Sequence, residues 1–234
     1  MLAHVSIIYQ NGLLGSTSPS DDGVVGMIAS GAEVVNKMVL GTAYHLTKLD
    51  DLTTLGVTDA ANDANANIYR QVKEFYDEAP AGSKLWLMPV AASVTMTDIC
   101  DKTKAYAKNL LVAANGAVNI LVVAKTDPSG YTATVADGLD SDVYAAATKA
   151  QALADESADE RYAPLFVILP GMHYSGTASD LKDLHSYTYN RVGIIIGDTK
   201  ASSVEASVGL LAGRMAAIPV QRSIARVKDG TIAA

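Results

Sequence analysis

A single cysteine, Cys100, stands in 234 residues. That excludes an internal disulfide framework and fits a reducing compartment. Charge is also sparse: 18% of residues are charged and the net charge is −7. No run of Lys or Arg occurs, whereas a nucleic-acid binder needs a basic face to displace counterions from phosphates. The apolar runs, such as Leu165–Leu169 and Val192–Ile196, fall far short of the ~20 residues that cross a bilayer. No basic segment followed by an apolar stretch opens the chain, so no signal peptide is visible and cytosolic synthesis is expected. Motifs of common chemistry are missing too. The chain has no GxxxxGK(S/T), no GxGxxG, no HExxH and no GxSxG.

What is present describes a packed core. Hydrophobic residues make up 49% of the chain, which argues against disorder. Few aromatics and many Ala, Val and Gly residues suit layered α/β packing. Apolar runs at Leu85–Val90, Val118–Ala124, Leu165–Leu169 and Val192–Ile196 read as buried strands. Helical spacing follows or precedes each. A helix capped by Thr58 or Asp59 runs to about Tyr76, and another spans Ile99–Ala114. Asp140-Ser141 opens one that ends near Tyr162, Ser179–Tyr187 is a short one, and Ser202 or Ser203 opens the last, which ends before Pro219. Continuous rather than alternating apolar strands, separated by helices, predict a mainly parallel or mixed sheet with helices on both faces. Residues 32–219 are expected to form this α/β core. Residues 1–31 read as an N-terminal arm with short β segments, at His4–Tyr9 and Gly23–Ala29. A further strand is expected at Val39–His45. Residues 220–234 read as a C-terminal extension, so both ends carry extended segments. An isolated strand with open N–H and C=O groups invites strand addition.

Candidate chemistry is thin. Gly193–Thr199, opening toward Ser202-Ser203, has the layout of a phosphate loop but also of an ordinary strand-to-helix turn. His173 and His185 lie near Asp180 and Asp183 without metal-ligand spacing. Cys100 lacks an activating base nearby and reads as a small buried thiol. The adjacent pairs Asp21-Asp22 and Asp50-Asp51 read as solvated caps. Gly209 and Gly213 share one face of the last helix, where each costs ~1 kcal/mol against alanine. That implies close packing, either on the domain's own sheet or on a neighbouring subunit.

Several segments resemble the sheath proteins of contractile phage tails and related prophage-encoded injection machines. They are RYAPLFVILPGMHYSG (161–176), HSYTYNRVGIIIGDT (185–199) and ASVGLLAGRMAAIPVQRSIARVKDG (206–230), with GVVGMIASG (23–31) similar to the family's opening. The resemblance implies a structural subunit, not an enzyme, with no catalytic, cofactor or metal site. It implies hexameric rings stacked around a tail tube protein, contact with baseplate proteins, and contraction from a metastable packing to a more stable one. Assembly would occur in the cytoplasm, and the product would be a virion tail or injection particle. The resemblance places arm or interface positions at Val5, Ile7 and Tyr9, and at Val220, Ile224 and Val227. Gly209 and Gly213 are added as interface positions on the glycine-face argument. Sheath proteins continue beyond such a helix, so a chain ending at Ala234 is either a short member or a fragment. The competing expectation is an α/β enzyme that binds a small molecule or nucleotide at the strand ends near Gly171–His173 and Gly197–Thr199.

Overall fold

Parallel strands need long connections, and this chain supplies them. The computed structural model describes residues 23–60, 64–218 and 223–224. Strand β1 (Val25–Gly31) is followed by the short β2 (Tyr44–Leu46), α1 (Leu49–Thr54) and α2 (Ala66–Glu78) before β3 (Leu85–Ala91). Two short helices, α3 (Met96–Cys100) and α4 (Ala107–Ala113), lead to β4 (Ile120–Ala124). A small hairpin, β5 (Val135–Ala136) with β6 (Leu139–Asp140), precedes the long α5 (Ser141–Arg161). Then come β7 (Phe166–Pro170), β8 (Val192–Ile195) and α6 (Val208–Ala217). The main sheet is six-stranded in the order β2-β3-β1-β4-β7-β8. Only the β2–β3 pairing is antiparallel. The expected α/β architecture, with a mixed, mostly parallel sheet covered on both faces, is what the chain adopts.

The period of two along each strand divides the core. Val25, Met27 and Ala29 of β1 face a layer built by α1, α2 and α6, with Leu52, Val72, Phe75 and Ala212 packed there. Val24 and Ile28 face the opposite layer, with Leu110 of α4 and Val143 and Ala147 of α5. β1 is buried along nearly its whole length because it has sheet on both sides and helices above and below. Gly26 permits this: a Cβ there would collide with Leu110 and Val118. The entry to β1 and the exit of α6 meet, since Gly23 packs against the backbone of Ala216.

Of the arm expected over 1–31, residues 1–22 lie outside the described residues, and β1 (Val25–Gly31) is no arm. It is central to the sheet, and the boundary expected at residue 31 falls inside the core. Its sheet neighbours lie far along the chain, so proximity in sequence gives no sign of the pairing. The strand at 39–45 is shorter than expected and forms the sheet edge at Tyr44–Leu46. The helix expected over 58–76 begins only at Ala66, where Asn65 turns its side chain back to accept a hydrogen bond from the Ala32 amide at 2.8 Å. The helix expected over 99–114 is two helices. The Asp101 carboxylate accepts hydrogen bonds from the Thr103 amide (2.9 Å) and hydroxyl (2.7 Å), a local turn that competes with helical pairing. In place of the helix expected over 179–187 stand two single turns of 3-10 helix, Ala178–Asp180 and Leu184–Ser186, the second opened by Asp183 accepting from the His185 amide at 2.9 Å. The last helix opens at Val208, not Ser203, because Ser203 accepts from the Glu205 amide in a turn of its own. The hairpin β5–β6 adds to the expected elements; its turn is Asp137-Gly138, both at positive φ, a standard two-residue hairpin connection. Among the described residues no helix is long and apolar enough to cross a membrane.

Candidate functional site

The strand order reverses between β1 and β4, and the carboxyl ends of strands near such a point form a crevice. A cleft of about 490 Å³ opens beside it, lined by residues that follow β3, β4 and β7. Its walls include Ser93, Met96, Lys125, Asp127, Tyr131, Asp140, Asp142 and Met172. Asp142, at the start of α5, faces the start of α3. Its carboxylate accepts from the Met96 amide at 2.7 Å, the Thr97 amide at 3.2 Å and the Thr97 hydroxyl at 2.6 Å. Asp140 caps α5 by accepting from the Asp142 amide at 3.0 Å. It also accepts from the Tyr131 hydroxyl at 2.7 Å, and that bond holds the phenol protonated, with its pKa raised. Lys125 donates to the Ala92 and Thr126 carbonyls, tying the loops after β3 and β4 together. Burial pushes its ammonium pKa down.

His173, whose φ is 54°, holds Asp127 at 2.6 Å. His185 instead pairs with Asp183 at 2.9 Å on the surface, so the two histidines do not converge. No group of three or more potential metal ligands forms among the described residues. Cys100 is fully buried in the core, and that burial raises its thiol pKa.

The second polar centre has no local signal in the sequence. Arg70 of α2 contacts Asp198 beyond β8, Glu205 ahead of α6 at 2.9 Å, and Glu74 one turn along α2 at 3.5 Å. Ser207 donates to Asp198 at 2.8 Å, and Thr199 donates to Glu74 at 2.5 Å. The loop Gly197–Thr199 is thus committed to its own protein. The Asp198 carboxylate turns inward, with its side chain 3% exposed, where a phosphate loop would present amides outward.

Residues 2–234 match the family DUF2586, N-terminal domain. The chain belongs to the DUF2586 family. No curated protein matches it significantly. Membership spans the chain but names no reaction, so roles within this DUF2586 domain must come from its geometry.

That geometry separates the positions expected to form interfaces. Gly209 and Gly213 lie on α6 against the main-chain carbonyls of Gln71 and Phe75 in α2, where a Cβ would collide with either oxygen. The glycine face serves helix-on-helix packing inside the DUF2586 domain, and the expectation that it meets a neighbouring subunit is corrected. Gln71 strengthens the contact by accepting from the Gly209 amide at 2.7 Å. Ile224 is exposed. Val5, Ile7, Tyr9, Val220 and Val227 lie outside the described residues.

Among the described residues an open edge is present elsewhere. Among the described residues β8 pairs with β7 alone. The Arg191 carbonyl accepts from Val167 and the Ile195 carbonyl accepts from Gly171, so alternate residues 191, 193 and 195 face β7. Val192 and Ile194 therefore turn their N–H and C=O groups away from the sheet. Asp155 near Arg191 (3.5 Å) and the exposed Ile196 flank this edge.

Proposed function

We propose that this domain is a structural building block that assembles with copies of itself, as a subunit of a contractile tail sheath. The observation that carries the reading is the β8 edge: a short apolar strand with outward main-chain groups can accept a strand from another copy. The sequence resemblance to sheath proteins supplies the particular assembly: rings around a tube, in a virion tail or an injection particle. Electron microscopy of the concentrated protein, alone and with its tube protein, tests it, with rings or tubes as the expected outcome. Persistent monomers under both conditions would overturn it.

Two variants bring the test to residues. Val192→Pro deletes an outward amide, a change that edge strands tolerate. It should leave a cooperative melt and abolish assembly. Deleting Met1–Gln10 should likewise leave a folded monomer that assembles poorly. If the truncated monomer unfolds, those residues belong to its own core and the arm idea fails.

One observation weighs against the competing nucleotide-enzyme reading. Asp142 occupies the amides at the start of α3 that an anionic ligand at this rim would use. Native-state ligands raise the melting temperature. A thermal-shift series with nucleotides should therefore be flat, and a saturable rise would restore the enzyme reading.

A further inference from the structure

Lys125 is the only buried lysine among the described residues, at 7% exposure. It also lines the cleft of about 490 Å³ at the carboxyl ends of the strands. Other lysines meet carboxylates: Lys73 pairs with Asp77 at 2.6 Å, Lys104 with Asp98 at 2.8 Å and Lys149 with Asp101 at 2.9 Å. Among the described residues Lys125 pairs with none, and its Nζ donates instead to two main-chain carbonyls, that of Ala92 and that of Thr126 (3.0 Å). The carboxylates of the cleft are held elsewhere. Asp127 is bound to His173, Asp140 to the Tyr131 hydroxyl, and Asp142 to the amides of Met96 and Thr97. The number of partners bears on the state of the nitrogen. An ammonium carries three N–H donors, and only two acceptors are met. A neutral amine carries two donors and a lone pair, so the two carbonyls match both donors and the lone pair is left over. A lysine buried without a carboxylate is driven toward its neutral form, which is nucleophilic. The direction of the Lys125 pKa agrees: burial lowers it, against the through-space pull of Asp127, Asp142 and Glu205.

We propose that Lys125 is a reactive amine that captures small neutral aldehydes in this cleft as an imine. The nitrogen lone pair forms a bond to the carbonyl carbon, and the π electrons of the C=O bond move to oxygen. The resulting carbinolamine loses water: both amine hydrogens leave with that oxygen, and a C=N bond remains. No oxidant, reductant or cofactor takes part, and hydrolysis reverses the step. Uptake of a solvent proton by the imine nitrogen restores one of the two donors to the loop carbonyls. The lining of the cleft selects the aldehyde. Met96, Ala145 and Met172 form an apolar wall for its carbon chain, whereas Asp127, Asp140 and Asp142 repel an anionic carbonyl compound such as a keto acid. This inference stands whether or not the domain assembles.

Reductive trapping on the full native chain tests it and needs no variant. Butanal at limiting concentration with cyanoborohydride, at neutral pH, fixes each imine as a butyl-lysine that peptide mass spectrometry locates. Each unit by which an amine pKa falls gives about tenfold more of the neutral form. Lys125 should therefore be labelled roughly tenfold faster than the exposed Lys48 and Lys200, and its rate should saturate as butanal is raised while theirs climb in proportion. Glyoxylate, an anionic aldehyde, should label Lys125 no faster than those surface lysines. In the chain unfolded by guanidinium the excess at Lys125 should vanish. Labelling of Lys125 by butanal at or below the surface rate would overturn the proposal and leave this lysine as a strap between two loops. Equal preference for Lys125 with glyoxylate, or an excess that survives unfolding, would overturn it as well.

Discussion

Truncating Asp142 removes the acceptor for two main-chain amides and one hydroxyl at once. Hydrogen bonds to a charged acceptor contribute about 1.5–3 kcal/mol, and amides left without a partner add to the loss. Asp142→Ala is expected to cost about 2–3 kcal/mol in urea unfolding, with Asp142→Asn falling between that and the native chain. A change within about 0.5 kcal/mol would mean that water replaces the carboxylate freely. Such single-residue roles are partly readable in the sequence. Asp140-Ser141 announces the start of α5 because a capping side chain acts on amides two or three positions away. Arg70 announces nothing, because Asp198 and Glu205 lie 128 and 135 positions further along the chain. No local pattern brings such residues together; the sheet does.

The pairing of α2 with α6 sets two effects of glycine against each other. Replacing Gly209 with alanine gains ~1 kcal/mol of helix propensity. The new methyl, however, meets the Gln71 carbonyl, which is main chain inside a helix and cannot rotate aside. Overpacking of this kind costs ~1–3 kcal/mol, so the clash should win. Gly209→Ala is expected to lower the melting temperature, and Gly213→Ala likewise against Phe75. A rise in either variant would mean the two helices sit further apart. The spacing of these glycines tells of a close neighbour but not which one. Strands and the long helix are readable as elements because buried runs and a 3.6-residue period are local. The break between α3 and α4 is not, since Lys102 and Lys104 suit the solvent face of a helix as well as a loop, and the turn that Asp101 makes with Thr103 leaves no periodic signal.

The order of strands across the sheet is the least readable feature. Continuous apolar runs forecast a parallel sheet, yet nothing in the stretch at 23–31 distinguishes a central strand from an edge. The molecule resolves this by setting β1 between β3 and β4, with seven paired residues on one side and five on the other. Among the described residues β8 keeps one side open, and the Val192→Pro experiment bears on that side. The chain ahead of Gly23, by contrast, enters the sheet directly through β1. Tension on that lead, from whatever holds it, would run lengthwise along β1 and load both ladders in shear at the same moment. A strand hung at the rim would unzip one bond after another. The domain is thus wired so that a tug on its leading end is borne by its centre.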